Sequence, residues 1–232
     1  MTESSPVLVA QWAACGIAAA TARFVPVPML DDVIRERAAQ IAVSRTLRAN
    51  GRTFSTERVE PLWVVGDTGG GFARQLKDAT LKIMLFPMRK YRAIFGAVRG
   101  VPTDVMKVLL LAHTLDRRLE QGDLPPDAGP DRLAAQARDI RRAVDQAMAG
   151  MDLRMLTAAI ADGLSHGRGL SAAAVRYTRR WFVKPGADPD LEPGGEVGAG
   201  AERVAEVLRR PEIAQLLDRF DEQVDGALAR AS

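Results

Sequence analysis

Apolar positions recur at helical spacing along most of the chain. The clearest run lies between Pro130 and Gly150, where Leu133, Ala137, Ile140, Val144 and Met148 share one side and Arg138, Asp139, Arg141, Arg142 and Asp145 the other. Such a stripe predicts a helix on the surface of a bundle. Leu153, Leu156, Ile160 and Leu164 repeat the pattern, as do Ile213, Leu217, Phe220, Val224 and Leu228, with Asp218, Asp221, Glu222 and Asp225 facing outward from the last helix. Pro102 with Thr103 or Asp104 starts a helix of a different kind. Val108, Leu111, Leu115 and Leu119 form its stripe, but Met106, Leu109 and Leu110 make the opposite side apolar too, which predicts a central position.

The N-terminal pattern is one of size more than polarity. Val7 to Phe24 predicts a helix in which Ala14, Gly16, Ala19 and Ala20 let a neighbour approach closely, while Trp12 and Ile17 supply bulk. No residue from Ser4 to Ala22 is charged, so the segment reads as a buried or membrane-surface helix, with insertion into a bilayer as the alternative. Arg23 and the Pro26-x-Pro28 pair end it, because each proline removes a donor and turns the preceding residue out of the α region. Asp31 or Asp32 then caps a helix that closes at Asn50-Gly51. Its stripe of Leu30, Ile34, Ala38 and Ile41 turns basic at Arg45, with Arg48 beside it. These arginines either snorkel from the core and pair with carboxylates or form an anion site.

The fold class expected is all-α, a multi-helix bundle over residues 1 to 184. Ser55 or Thr56 caps a short helix near Pro61, and 66 to 71 form a Gly-rich loop or an anion nest without the ending of a P-loop. Gly122 to Pro130 is a loop by composition. Residues 185 to 200 hold five Gly, three Pro and four acids with no cation, which predicts an acidic linker before a helical hairpin over 201 to 232.

Charge alters this picture by its distribution. The net charge is +3, yet Phe72 to Gly100 alone carries seven cations against Asp78, interleaved with bulky apolar residues. Arg89, Lys90 and Arg92 lie there, and Arg179 and Arg180 flank Tyr177 and Trp181 in a second basic aromatic patch. Together with Arg45 and Arg48 these are the candidate binding residues. Their expected partner is an anionic membrane surface or a protein, with nucleic acid as a further alternative. The acidic last helix folding back over a basic patch would give autoinhibition. His113 and His166 are too few to build a metal site, so no metal, cofactor or catalytic residue is assigned. Cys15, the one cysteine, excludes an intrachain disulfide and suits a cytoplasmic chain.

The segment Ala18 to Gly51, with its Ala-rich helix, Pro26-x-Pro28-x-x-Asp31, Arg35 or Arg37, Ile41-Ala42 and closing Gly51, resembles the EcsC-type helical proteins and the uncharacterised helical domain that accompanies some membrane-linked bacterial GTPases. The resemblance implies a helical, membrane-associated protein and carries over no catalytic residue. A rival lies at the same place. Asp31-Asp32-Val33-Ile34-Arg35-Glu36 is similar to the Asp-rich motif by which all-helical isoprenoid synthases hold Mg²⁺ and a diphosphate, although Arg35 stands where a third Asp belongs.

Overall fold

The computed structural model describes residues 4–24, 30–64, 100–167, 169–183 and 193–231. It is an all-α bundle, as the periodicity predicts, and among the described residues no strand occurs. Eight α-helices are described: α1 (Pro6–Ala20), α2 (Leu30–Ala49), α3 (Val101–Glu120), α4 (Pro130–Gly150), α5 (Arg154–Ser165), α6 (Leu170–Val183), α7 (Gly195–Leu208) and α8 (Pro211–Ala231). Short 3-10 turns follow α1 at Thr21–Phe24 and precede Trp63 at Thr56–Leu62.

Helix α1 is the axis. Every residue from Trp12 to Ala20 is buried, and α2, α3 and α7 all pack against it. By length and composition Pro6–Phe24 could cross a membrane, but its apolar surface is largely taken up by protein contacts. Small side chains make this crowding possible. A Cβ added to Gly16 would lie 3.0 Å from the backbone of Val105 on α3, and one added to Gly200 on α7 would lie 3.3 Å from Ile17. One polar pin crosses the apolar contact: the Trp12 indole N–H donates to Thr46 Oγ1 at 2.9 Å, and that hydroxyl donates to the Ala42 carbonyl. Both groups are thereby satisfied inside the core.

Helix α3 packs on α1, α2 and α5, and its residues are buried nearly all round. It begins at Gly100, whose φ of 90° is a conformation that favours glycine. The same glycine makes room for a charge. Arg23, just beyond α1, lays its guanidinium where a Cβ of residue 100 would stand and grips buried Asp104 in two hydrogen bonds, of 2.5 Å from Nε and 3.0 Å from Nη2. Arg35 of α2 reaches within 4.0 Å of the same carboxylate. The ends of α1, α2 and α3 thus meet on one carboxylate.

The glycine-rich stretch expected to be linker up to residue 200 becomes helix at Gly195, while residues 184 to 192 lie outside the described residues. Intrinsic propensity argues against such a helix by about 1 kcal/mol per glycine. Packing reverses the outcome, because Val197, Gly198, Gly200 and Ala201 are buried and α7 settles against α1, α5 and α6. The final two helices lie mainly on different partners, α7 on α1 and α8 on α4. Their buried residues belong to the same apolar cluster as α1.

Two outcomes test this account. Gly16→Val should destabilise the fold by about 1 to 3 kcal/mol through overpacking, read as a lower midpoint in urea. Arg23→Ala should cost roughly 3 kcal/mol by leaving Asp104 buried without its main counter-charge, and a thermal melt within a degree or two of the parent would contradict it.

Candidate functional site

Among the described residues, a dense polar constellation joins α3 to α8. On α3, His113, Arg117 and Arg118 fall at i, i+4 and i+5, so they project toward one side of the helix. On α8, Asp221 and Asp225 are one turn apart and meet them. The Arg117 guanidinium takes Asp225 as a fork, with Nη1 to Oδ1 at 2.9 Å and a second short bond from Nη2 to Oδ2. Its Nε lies 3.5 Å from Asp221. Arg118 adds a 3.3 Å contact from Nη1 to Asp225 and is itself braced by Asp123 and Gln121. His113 Nε2 stands 3.2 Å from Asp221 Oδ1.

Electrostatics follow the geometry. The hydrogen bond from Arg117 holds the Asp225 carboxyl below the usual range, against the opposing effect of partial burial, and Asp225 in turn raises Arg117. Asp221 is less well served. Its Oδ1 is buried and lies near the histidine without an aligned hydrogen bond. Its Oδ2 meets His113 Nε2 at 3.3 Å, so Asp225 is held by the guanidinium fork and Asp221 by one histidine contact and the nearby charge of Arg117.

Apolar contact completes the seating of α8. Ile213, Leu216, Phe220, Val224 and Ala227 are buried, chiefly over α4, with Leu217 and Leu228 half-buried beside them. Along the middle of α8 the packing opens into a cleft of about 460 Å³ between the α4–α5 junction and α8, lined by Met151, Met155, Leu216, Arg219 and Glu222 among others. Asp152 at its edge accepts the Arg154 backbone N–H, which lowers its pKa.

Those residues singled out by sequence that are described lie elsewhere, on α2 and α6. Arg45 is half-buried and Arg48 exposed on α2; Arg179 is half-buried on α6; all three are already engaged by neighbours. Arg180 is exposed, as is Arg176 one turn before it. Arg89, Lys90 and Arg92 lie outside the described residues. The aromatic half of the α6 patch is corrected by the structure: Tyr177 and Trp181 are buried, their rings edge to face with centroids 5.3 Å apart. That helix presents cations outward and keeps its aromatics inside.

Asp31 and Asp32 both accept from Arg35 Nη1, at 3.0 and 3.2 Å. His113 does not pair with neighbouring Asp116, which instead accepts from Ser4 Oγ at 2.6 Å and Asn50 Nδ2 at 2.7 Å, fastening the start of α1 and the end of α2 to α3. Burial pushes the Cys15 thiol up to about 12, opposed by the nearby charge of Arg45, so it is a core filler and a poor nucleophile. Among the described residues no three His, Cys, Asp or Glu side chains converge as metal ligands. Sequence reasoning found His113, Asp221 and Asp225 singly but did not join them, since the contact spans 108 residues.

No family model matches the chain, and neither a curated protein nor a solved structure matches it.

The depressed Asp225 carboxyl predicts a pH dependence. Its contribution is present above the unfolded carboxylate pKa of about 3.9 and is lost as pH falls through the lower folded value. Asp225→Asn should therefore flatten the acid limb of a stability profile measured by urea denaturation, while changing little in its shape near neutrality.

Proposed function

We propose that the protein is a non-enzymatic helical binding protein that docks on an anionic membrane surface through charge. The observation that carries this reading is the outward face of α6, where Arg176 and Arg180 are exposed one turn apart while the adjoining aromatics are buried. Docking of this kind is peripheral. Buried Tyr177 and Trp181 supply no apolar insertion, so attraction between cations and lipid headgroups must provide the affinity.

Magnitude sets how many cations are needed. Each Lys or Arg close to an anionic leaflet contributes about 1 kcal/mol. Two are too few for measurable retention. Adding Arg89, Lys90 and Arg92 from the basic stretch brings the sum to about 5 kcal/mol, so the proposal requires that stretch to share the surface. The resemblance of residues 18 to 51 to EcsC-type proteins points in the same direction. An Mg²⁺-dependent diphosphate enzyme is less favoured because Arg35 already engages both Asp31 and Asp32.

Sedimentation with vesicles separates the possibilities. The protein should pellet with phosphatidylserine-containing vesicles at low salt, dissociate at high salt, and ignore neutral phosphatidylcholine. Replacing Arg89, Lys90, Arg92, Arg176 and Arg180 by Ala should remove the binding. Absence of pelleting at low salt would end the proposal, and a mobility shift of DNA under the same conditions would redirect it to nucleic acid.

A further inference from the structure

The cations of α3 carry a second consequence for α8. Three cationic or protonatable groups, His113, Arg117 and Arg118, converge on one side of a rigid central helix, and the groups that satisfy them come mainly from a terminal helix 108 residues away. The carboxylates of Asp221 and Asp225 present charged oxygens to the guanidinium fork much as an external carboxylate or phosphate would.

We propose that Asp221 and Asp225 act as an internal pseudo-ligand, clasping α8 over a cationic site on α3 that an anionic lipid surface takes over, releasing the helix. Three features support this assignment. The link between α3 and α8 is made by charged side chains, while the apolar face of α8 rests chiefly on α4. The clasp is uneven, since Asp225 is forked by Arg117 whereas Asp221 has a single 3.3 Å contact from His113 to Oδ2 and no aligned donor to its buried Oδ1. Beside the middle of α8 lies the open cleft at Met151, Met155 and Leu216, reaching Glu222 and Gln223 next to the clasp, so one flank of the helix is left uncovered there. A helix held to α3 by charge, with an open cleft beside the same middle turns, is suited to local opening.

The groups facing the clasp are His113, Arg117 and Arg118 from α3 and Asp123 from the loop after it, with Asp152 and Arg219 at the cleft. Competition by lipid phosphates for Arg117 and Arg118 would add α3 to the docking surface. That last step rests on the docking proposal, whereas the clasp itself does not.

Hydrogen exchange on the full-length chain tests the two parts separately. Without vesicles, the D221N/D225N double variant should exchange the amides of 211 to 231 at least about tenfold faster than the parent, the effect of losing one charge-assisted bond, with α1 as protected as before. Equal exchange in both proteins would overturn the clasp. Should the double variant also lose protection in α1, Asp225→Asn alone provides the same comparison with Asp221 retained.

With phosphatidylserine vesicles, α8 of the parent should exchange faster on binding. D221N/D225N should bind about tenfold more tightly than the parent, and adding R117A/R118A should abolish that gain. Binding that leaves α8 exchange unchanged would overturn the takeover and keep the docking proposal. Failure of every variant to bind would overturn docking and the takeover together, leaving the clasp to the first comparison. Opening of α8 by inorganic phosphate alone would assign the site to a soluble anion and overturn the membrane step.

Discussion

Close approach to α1 is the constraint on which the rest of this structure depends. A helix can be surrounded by three others only if its own side chains are small where their backbones come near. The Ala13 to Ala20 segment meets that condition, with Ile17 as its one large side chain. Gly16 admits α3, and Gly200 admits α7 from the opposite partner. Burial on so many sides also explains why the segment is as apolar as a membrane span while lying inside a protein. In both environments an α-helix satisfies its interior backbone groups internally, so apolar composition alone does not distinguish them.

Around that axis, charge is used for position. Asp104 collects Arg23 and approaches Arg35 at the junction of three helices, and Asp116 collects Ser4 and Asn50 near the other end of α3. Each is a buried carboxylate given partners from separate segments. Such groups fix register because displacement would leave a charge desolvated without compensation. The α3–α8 cluster differs in being less buried and more redundant, with two carboxylates shared among His113, Arg117 and Arg118. Its energetics are consequently more open to salt and to competing anions than those of the inner pairs.

Much of the architecture was legible from periodicity. On α4 the predicted inward residues Leu133, Ala137, Ile140 and Val144 are buried as read, with Met148 at the margin. On α8 the stripe is rotated slightly, so Leu216 and Ala227 are buried in place of Leu217 and Leu228. Asp221 and Asp225, read as solvent-facing, lie on the flank of this stripe where α3 stands. Periodicity gives a face with an uncertainty of about one residue, and charged residues flanking the stripe fall on whichever side the neighbour happens to stand. The α6 patch shows the same limit: Tyr177 and Trp181 four apart mark a face, but not whether water or protein covers it.

Helix content, the apolar faces, the breaks at proline and the small-residue character of α1 were determined by the sequence itself, because each follows from steric and solvation properties acting over a few neighbouring residues. Tertiary structure alone decided which carboxylates of one helix meet which cations of another, as with Asp104 and Arg23 or Asp225 and Arg117, since those choices join segments far apart in the chain. It also decided that Gly195 to Gly200 is helix: local entropy favours a linker there, and only the close approach to α1 and α6, where Gly200 stands against Ile17 and Leu170, reverses the balance.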